Sequence, residues 1–245
     1  PQNNINPPQI FTVDISKPLS NSEVDVKNYR LIQDPIPHEA SHGVNLMVRD
    51  MDRRKKGTGI HIGFDKDGQA LAFWMNSLPG TIDAIVTEIP NFVKPTMLYK
   101  EYIIKQQKFW NDRLTYLFDE WGAYLVGDST ELEQGYSEDD AVGSRTYKVY
   151  GEGIAHFMIY GTAIASYLQK NYPNYFNTNK QFVSILKYMI ERSVTIINEA
   201  VTKGLFSSGA YLILNEFKIN PKAAHLRKLL SDIYGQEWTR NTLGF

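Results

Sequence analysis

Two histidines four residues apart, with a glutamate next to the first, are the residues of this sequence best suited to chemistry. His38 and His42 begin and end the pentapeptide H-E-A-S-H, and Glu39 directly follows His38. On an α-helix, side chains four positions apart lie one above the other on the same face, so both imidazoles can bind one metal ion. Glu39 points about 100° around the helix from His38, where it can accept a proton from a water that the ion has acidified. The motif therefore supplies two metal ligands and a general base within one and a half helical turns.

The composition limits which side chains can complete such a site. The chain has no cysteine, which excludes thiolate ligands, disulfides and a cysteine nucleophile. A metal ion must then be held by imidazole and carboxylate groups, a ligand set that suits a catalytic Zn²⁺ ion better than a structural one. Zinc is therefore the expected cofactor. Catalytic zinc sites use three protein ligands, and the motif provides two of them.

The motif resembles that of the HExxH zinc metallopeptidases of the zincin group. The resemblance rests on His38, Glu39 and His42 and covers a short stretch of the chain. It implies that the two histidines bind zinc, that Glu39 is the general base, and that the substrate is a peptide or protein. The metzincin version continues with a glycine and a histidine where this chain has Asn45 and Val48. The version that the resemblance implies is the gluzincin one, in which a glutamate from a second helix is the third ligand.

Under this resemblance, Glu120 is the expected third ligand. The tetrapeptide that begins there, E-W-G-A, is similar to the E-x-x-A helices that carry the zinc glutamate in gluzincin-like proteins. Its apolar neighbours predict a buried helix, in which a carboxylate without a partner would be costly and a metal ion would neutralise it. Asp119 is either an acceptor for a ligand histidine or an ordinary solvated carboxylate. Glu152, which begins a second E-x-x-A sequence, Glu88 and His61 remain alternative third ligands.

Hydrolysis of a carbonyl compound also requires a donor for the oxyanion that develops on the attacked carbonyl. The candidates near the acidic part of the sequence are Tyr136, Tyr147, Tyr150 and His156. Each tyrosine is equally compatible with a packing role. His156 lies among apolar residues, which favours a buried core histidine with satisfied hydrogen bonds.

The hydrophobic pattern predicts the elements that position these residues. Alternating residues predict short strands over 10–15 and 29–32, and two strands joined by a turn predict a hairpin over 60–75. The HExxH motif lies on a helix that begins within 34–37, where prolines are tolerated, and ends near Asp52. From residue 80 onward the pattern is helical, with predicted helices at 81–89, 95–127 (interrupted near 111–112), 153–171, 179–203, 206–217 and 221–234. The fold class predicted is α+β: a mainly helical, zincin-like domain with a small β element beside the HExxH helix.

The length of 245 residues is sufficient for one large domain. The polar, Pro- and Asn-rich residues 1–9 are expected to form a leader, and 10–245 a single metallohydrolase domain. Within it, 10–127 would carry the HExxH helix, the hairpin and the glutamate helix, 128–151 an acidic loop, and 152–245 further helices. The leader suggests a processed N-terminus and a secreted or periplasmic protein.

Charge and hydropathy restrict the partners. The formal net charge is −1, with 26 basic and 27 acidic residues, which argues against nucleic acid as a partner. No run of about 18 apolar residues predicts a transmembrane helix. The function predicted is peptide hydrolysis by a metal-activated water. The alternatives are a non-proteolytic zinc hydrolase and a binding or scaffold protein with a degenerate zinc site, although a scaffold has no use for Glu39.

Overall fold

The computed structural model describes residues 5–13, 36–51, 56–134 and 151–245. These residues are mostly helical and include one three-stranded antiparallel sheet, which confirms the predicted α+β class. The strands are Phe11–Val13 (β1), Gly57–Phe64 (β2) and Ala70–Asn76 (β3). The helices are Ile36–Met51 (α1), Ile82–Ile85 (α2), the π-helix Tyr99–Lys105, Gln107–Trp110 (α3), Tyr116–Gln134 (α4), Glu152–Asn171 (α5), Pro173–Thr178 (α6), Lys180–Thr202 (α7), Ser208–Ile219 (α8), the 3₁₀ turn Pro221–Ala223, Ala224–Tyr234 (α9) and Gln236–Leu243 (α10).

The β element is the predicted hairpin together with β1, which lies within the strand predicted at 10–15. β3 lies in the centre, with β1 and β2 on either side and both antiparallel to it. The Asp65 carboxylate accepts hydrogen bonds from the backbone N–H groups of Asp67 and Gln69, and Gly68 has a positive φ, so the turn contains its own stabilising contacts. The predicted strand at 29–32 falls outside the described residues.

Helices α1 and α4 pack against each other and against β2, and these three elements frame the HExxH motif. Their close approach depends on glycine. A Cβ on Gly59 of β2 would lie 2.3 Å from Cβ of Val48 on α1, and one on Gly122 of α4 would lie 2.6 Å from the carbonyl oxygen of His61 on β2. Side chains at these two positions would push the three elements apart.

Helix α5 forms the centre of the main core. Its residues from Gly153 to Ser166 are buried on every side, as expected of a helix surrounded by other elements. It packs on α4 and also contacts α6, α7, α8 and α9. Trp121 of α4 is fully buried, and its indole N–H donates to Ser193 Oγ of α7 at 3.0 Å. The glutamate helix α4 is therefore held from the side opposite to α1.

The structure differs from the predicted helices in several places. The segment predicted as one helix at 95–127 is divided into the π-helix, α3 and α4, and the break falls at the predicted position near 111–112. α4 continues to Gln134, because Leu132 is buried, so the first part of the predicted acidic loop is helical. Helical structure in the predicted 81–89 segment is confined to α2, and turns follow it before Pro90. The sequence analysis missed the short helices α6 and α10 altogether.

The approach of α4 to β2 predicts a difference between two glycines in helices. Gly122→Ala should lower the free energy of unfolding by about 1–3 kcal/mol, because the new methyl group meets a backbone carbonyl. Gly43→Ala in α1 is the matched control: nothing lies within 4 Å of its added Cβ, and a helical Gly→Ala change is stabilising by up to about 1 kcal/mol. Urea unfolding of both variants measures the difference. Equal changes in the free energy of unfolding for the two variants would contradict the close approach of α4 to β2.

Candidate metal centre

The structure brings His38, His42 and Glu120 together between α1 and α4. Nε2 of His38 lies 3.4 Å from Nε2 of His42 and 3.4 Å from Oε2 of Glu120. Nε2 of His42 lies 3.7 Å from the same carboxylate oxygen. Three potential ligand atoms, two from one helix and one from another, thus form a nearly equilateral triangle.

The size of this triangle is suitable for a small divalent ion. Donor atoms that surround a tetrahedral zinc ion at about 2.0–2.1 Å are about 3.3–3.4 Å apart. The observed separations of 3.4, 3.4 and 3.7 Å are close to that value. Two imidazoles and one carboxylate also form one of the ligand sets found in catalytic zinc sites.

The Glu120 carboxylate provides the clearest sign that a ligand belongs here. Glu120 is buried, with 7% of its surface exposed, and its Oε2 atom has no hydrogen-bond partner within the part of the chain that the structure describes. An unpaired carboxylate oxygen is destabilising in such surroundings. Because this orphaned atom faces both imidazoles, a cation bound between the three groups would satisfy it. The residues present therefore fit a zinc ion.

Asp119, the neighbour of Glu120, orients His42. Nδ1 of His42 donates to Oδ1 of Asp119 at 2.6 Å, an arrangement that leaves Nε2 as the ligand atom. Asn45 Nδ2 donates to the same Asp119 oxygen at 2.7 Å, and Asn45 Oδ1 accepts the backbone N–H of His61 at 2.5 Å. A continuous hydrogen-bonded chain therefore connects the backbone of β2 to the His42 ring.

The electrostatics of the site favour positive charge. Burial of the His42 ring acts to lower its pKa, but the hydrogen bond to Asp119 and the negative charges of Asp119, Glu120 and Glu39 outweigh it and raise the pKa to about 9. Three carboxylates thus act on one imidazole. The same negative potential would attract a metal cation.

Two of the three alternative third ligands, Glu88 and His61, have partners elsewhere. The Glu88 carboxylate accepts from Ser166 at 2.6 Å and from Lys170 at 2.7 Å. Both ring nitrogens of His61 are engaged, one with Ser41 Oγ and the other with the carbonyl of Gly63. None of the three alternatives, which include Glu152, belongs to the converging group.

His156 is a core histidine, in agreement with the interpretation that the sequence favoured. Its ring bonds to the Glu152 carbonyl oxygen at 2.7 Å and to Thr96 Oγ1 at 3.0 Å. Burial lowers its pKa, so the ring is held in its neutral form. The candidate oxyanion donors Tyr136, Tyr147 and Tyr150 lie outside the described residues.

A cleft of about 1200 Å³ opens over the metal centre and is lined by both histidines, Glu120 and the exposed Glu39. Two tyrosines that the sequence analysis did not select, Tyr102 and Tyr116, also line it. Burial, reinforced by the charge of Glu120, raises the pKa of both hydroxyls above the ordinary tyrosine value, so they remain protonated donors. No local sequence signal identified them, because the fold brings them to the cleft from the π-helix and from the start of α4.

Comparison of the chain with protein-family models, curated proteins and solved structures gives no match. Among the described residues, no helix is both long enough and apolar enough to cross a membrane.

The hydrogen-bonded chain behind His42 predicts a graded loss of metal affinity. Asp119→Ala should weaken zinc binding by about 10- to 100-fold, the usual effect of losing such an acceptor. Asn45→Ala should also weaken zinc binding, but by less. This change removes the hydrogen bond that holds the Asp119 carboxylate, while the carboxylate itself is still present to accept from His42. Competition with a chromogenic chelator measures both dissociation constants. Ser41→Ala is the control: its hydroxyl contacts the His61 ring rather than Asp119, so zinc affinity should be unchanged.

Proposed function

We propose that this chain is a zinc-dependent peptidase of the gluzincin type, with His38, His42 and Glu120 holding the ion. The observation that carries the proposal is the buried Glu120 oxygen, which faces two imidazole nitrogens and has no hydrogen-bond partner in residues 5–13, 36–51, 56–134 and 151–245. When bound, zinc would supply Lewis acidity, lowering the pKa of a coordinated water to near 7 and polarising a substrate carbonyl.

Glu39 is the general base in this proposal. It follows the ligand His38 directly and lines the same cleft, but it is exposed and does not belong to the converging group. A carboxylate that faces the cleft without binding the ion can accept a proton from the attacking water and deliver it to the leaving amine. A protein that only stored or displayed zinc would have no need for this group.

Tyr102 and Tyr116 are the proposed donors to the carbonyl oxygen of the substrate. Both line the cleft beside Glu120, and the Tyr102 hydroxyl also lies 3.0 Å from that of Tyr124, which fixes its position. A protonated phenol placed beside the metal centre can stabilise the negative charge that develops during attack. The geometry does not distinguish between the two tyrosines, so both are proposed.

The size and lining of the cleft favour a polypeptide over a small substrate. Its volume of about 1200 Å³ exceeds the ~300–1,000 Å³ that is usual for small-molecule pockets. Its walls carry charges of both signs, among them Arg49, Lys56, Glu101 and Arg113. An open cleft whose walls carry charges of both signs suits a flexible polypeptide that is bound at several positions.

Export of the protein from the cytoplasm remains a prediction.

Zinc content and peptide hydrolysis measured together test the proposal. The wild-type chain and Glu39→Gln should each hold about one zinc ion, whereas Glu120→Ala should lose most of it. Hydrolysis of a quenched fluorescent peptide library should fall at least about 100-fold in both variants. Glu237→Gln, which alters an exposed carboxylate on α10 away from the cleft residues, is the matched control and should retain both properties.

The outcomes separate the alternatives. Zinc retained in the Glu120→Ala variant would contradict the ligand set. Zinc bound by the wild-type chain without hydrolysis of any peptide would contradict the peptidase. Hydrolysis of esters or other amides would then indicate the non-proteolytic hydrolase, and no hydrolysis at all would indicate the zinc-binding scaffold.

The tyrosine pair gives a separate kinetic prediction. Tyr102→Phe or Tyr116→Phe should lower kcat by about 10²- to 10³-fold, as the loss of an oxyanion donor does. Zinc content should be unchanged in Tyr102→Phe. Tyr211→Phe, at an exposed position on α8, is the control. Full activity in both cleft variants would exclude the tyrosines from the reaction.

A further inference from the structure

One outward face of the helical segment 97–110 combines apolar and basic side chains. Its apolar members are Met97, Ile104 and Phe109, which are 81%, 50% and 64% exposed. Its basic members are Lys100, Lys105 and Lys108, all of which are exposed. We call these six residues the lysine–methionine face.

The burial pattern of this segment shows that the six side chains share one face. They recur at intervals of three and four positions or are direct neighbours, as residues on one side of a helix do. Tyr99 and Ile103, on the opposite side, are buried in the core. A third row of side chains lies between the exposed face and the buried side of the segment, and it lines the cleft. This row repeats every four residues and consists of Tyr102, Gln106 and Trp110. The lysine–methionine face therefore lies next to the rim of the cleft.

The face is positively charged in a chain that is slightly negative overall. Within the segment, Glu101 is paired with Lys105 at 2.6 Å. Across residues 94–113 there are five basic and two acidic side chains, which gives 5 − 2 = +3, against −1 for the whole chain. The five basic residues are Lys94, Lys100, Lys105, Lys108 and Arg113, and the two acidic ones are Glu101 and Asp112.

We propose that the lysine–methionine face binds an anionic lipid surface. A helix that presents exposed apolar side chains among lysines has the composition of an interfacial helix, which inserts the apolar groups at the headgroup boundary. The lysine stems can lie along the apolar region while their ammonium groups reach the lipid phosphates. The positive charge of the face is thus complementary to the negative charge of a phosphate-rich surface.

Lipid fits this face better than an acidic protein does. Protein–protein interfaces are depleted in lysine and enriched in arginine, and all three cations of the face are lysines. Attachment through this face would bring the neighbouring cleft close to the bilayer. The cleft would then receive substrates that are themselves at the membrane surface, a consequence that is independent of which ion or reaction the cleft supports.

Flotation with vesicles tests the proposal on the full chain. The protein should bind vesicles of equal parts phosphatidylglycerol and phosphatidylcholine much more strongly than pure phosphatidylcholine, and 0.5 M salt should weaken the binding. K100A/K105A/K108A should reduce partitioning by about fivefold for each lysine. K66A/K180A/K222A removes the same charge from exposed lysines elsewhere and should bind like the wild type.

The apolar part of the face is tested in the same assay. M97S/F109S should also reduce binding to the mixed vesicles, whereas Y211S/L212S, which changes two similarly exposed apolar residues on α8, should not. Far-UV circular dichroism confirms that every variant is folded. Absence of flotation by the wild-type chain would overturn the proposal in favour of an acidic protein partner. Equal losses in the face and control variants would overturn it as well.

Discussion

The contact between one buried carboxylate oxygen and two imidazole nitrogens is the central interaction of the candidate metal centre. Glu120 Oε2 lies 3.4 and 3.7 Å from the Nε2 atoms of His38 and His42, and no donor among the described residues satisfies it. A cation bound between the three groups would offset the cost of burying this oxygen. The close packing of α1, α4 and β2 holds these groups at separations that suit a metal ion. A larger residue at position 59 or 122, in place of Gly59 or Gly122, would prevent that packing.

The small sheet has a role in the site although none of its residues belongs to the converging group. The backbone N–H of His61 on β2 is bonded to Asn45, Asn45 to Asp119, and Asp119 to His42. The position of the hairpin therefore influences the orientation of the His42 imidazole. His61 itself is fully buried, and burial lowers its pKa to about 4, so it adds no positive charge beside the metal centre at neutral pH.

The sequence predicted those parts of the site that a local pattern encodes. His38, Glu39 and His42 are predicted by helical spacing, and Glu120, with Asp119 beside it, by the resemblance of its sequence to the E-x-x-A helices of gluzincin-like proteins. Asn45, Tyr102 and Tyr116 could not be found in this way, because their roles arise from contacts between elements distant in the sequence. Long, continuous helices such as α5 and α7 were predicted almost to their ends, whereas the π-helix and the short helices offer too few residues for a clear pattern.

Anomalous diffraction at the zinc absorption edge, from crystals of the full chain grown with zinc, would locate the ion directly. We expect one strong peak between α1 and α4, about 2.0–2.2 Å from Nε2 of His38, Nε2 of His42 and a carboxylate oxygen of Glu120. Glu39 should lie near the peak without binding the ion. A peak bound by other side chains, or no peak between these helices at full zinc occupancy of the protein, would exclude the proposed ligand set.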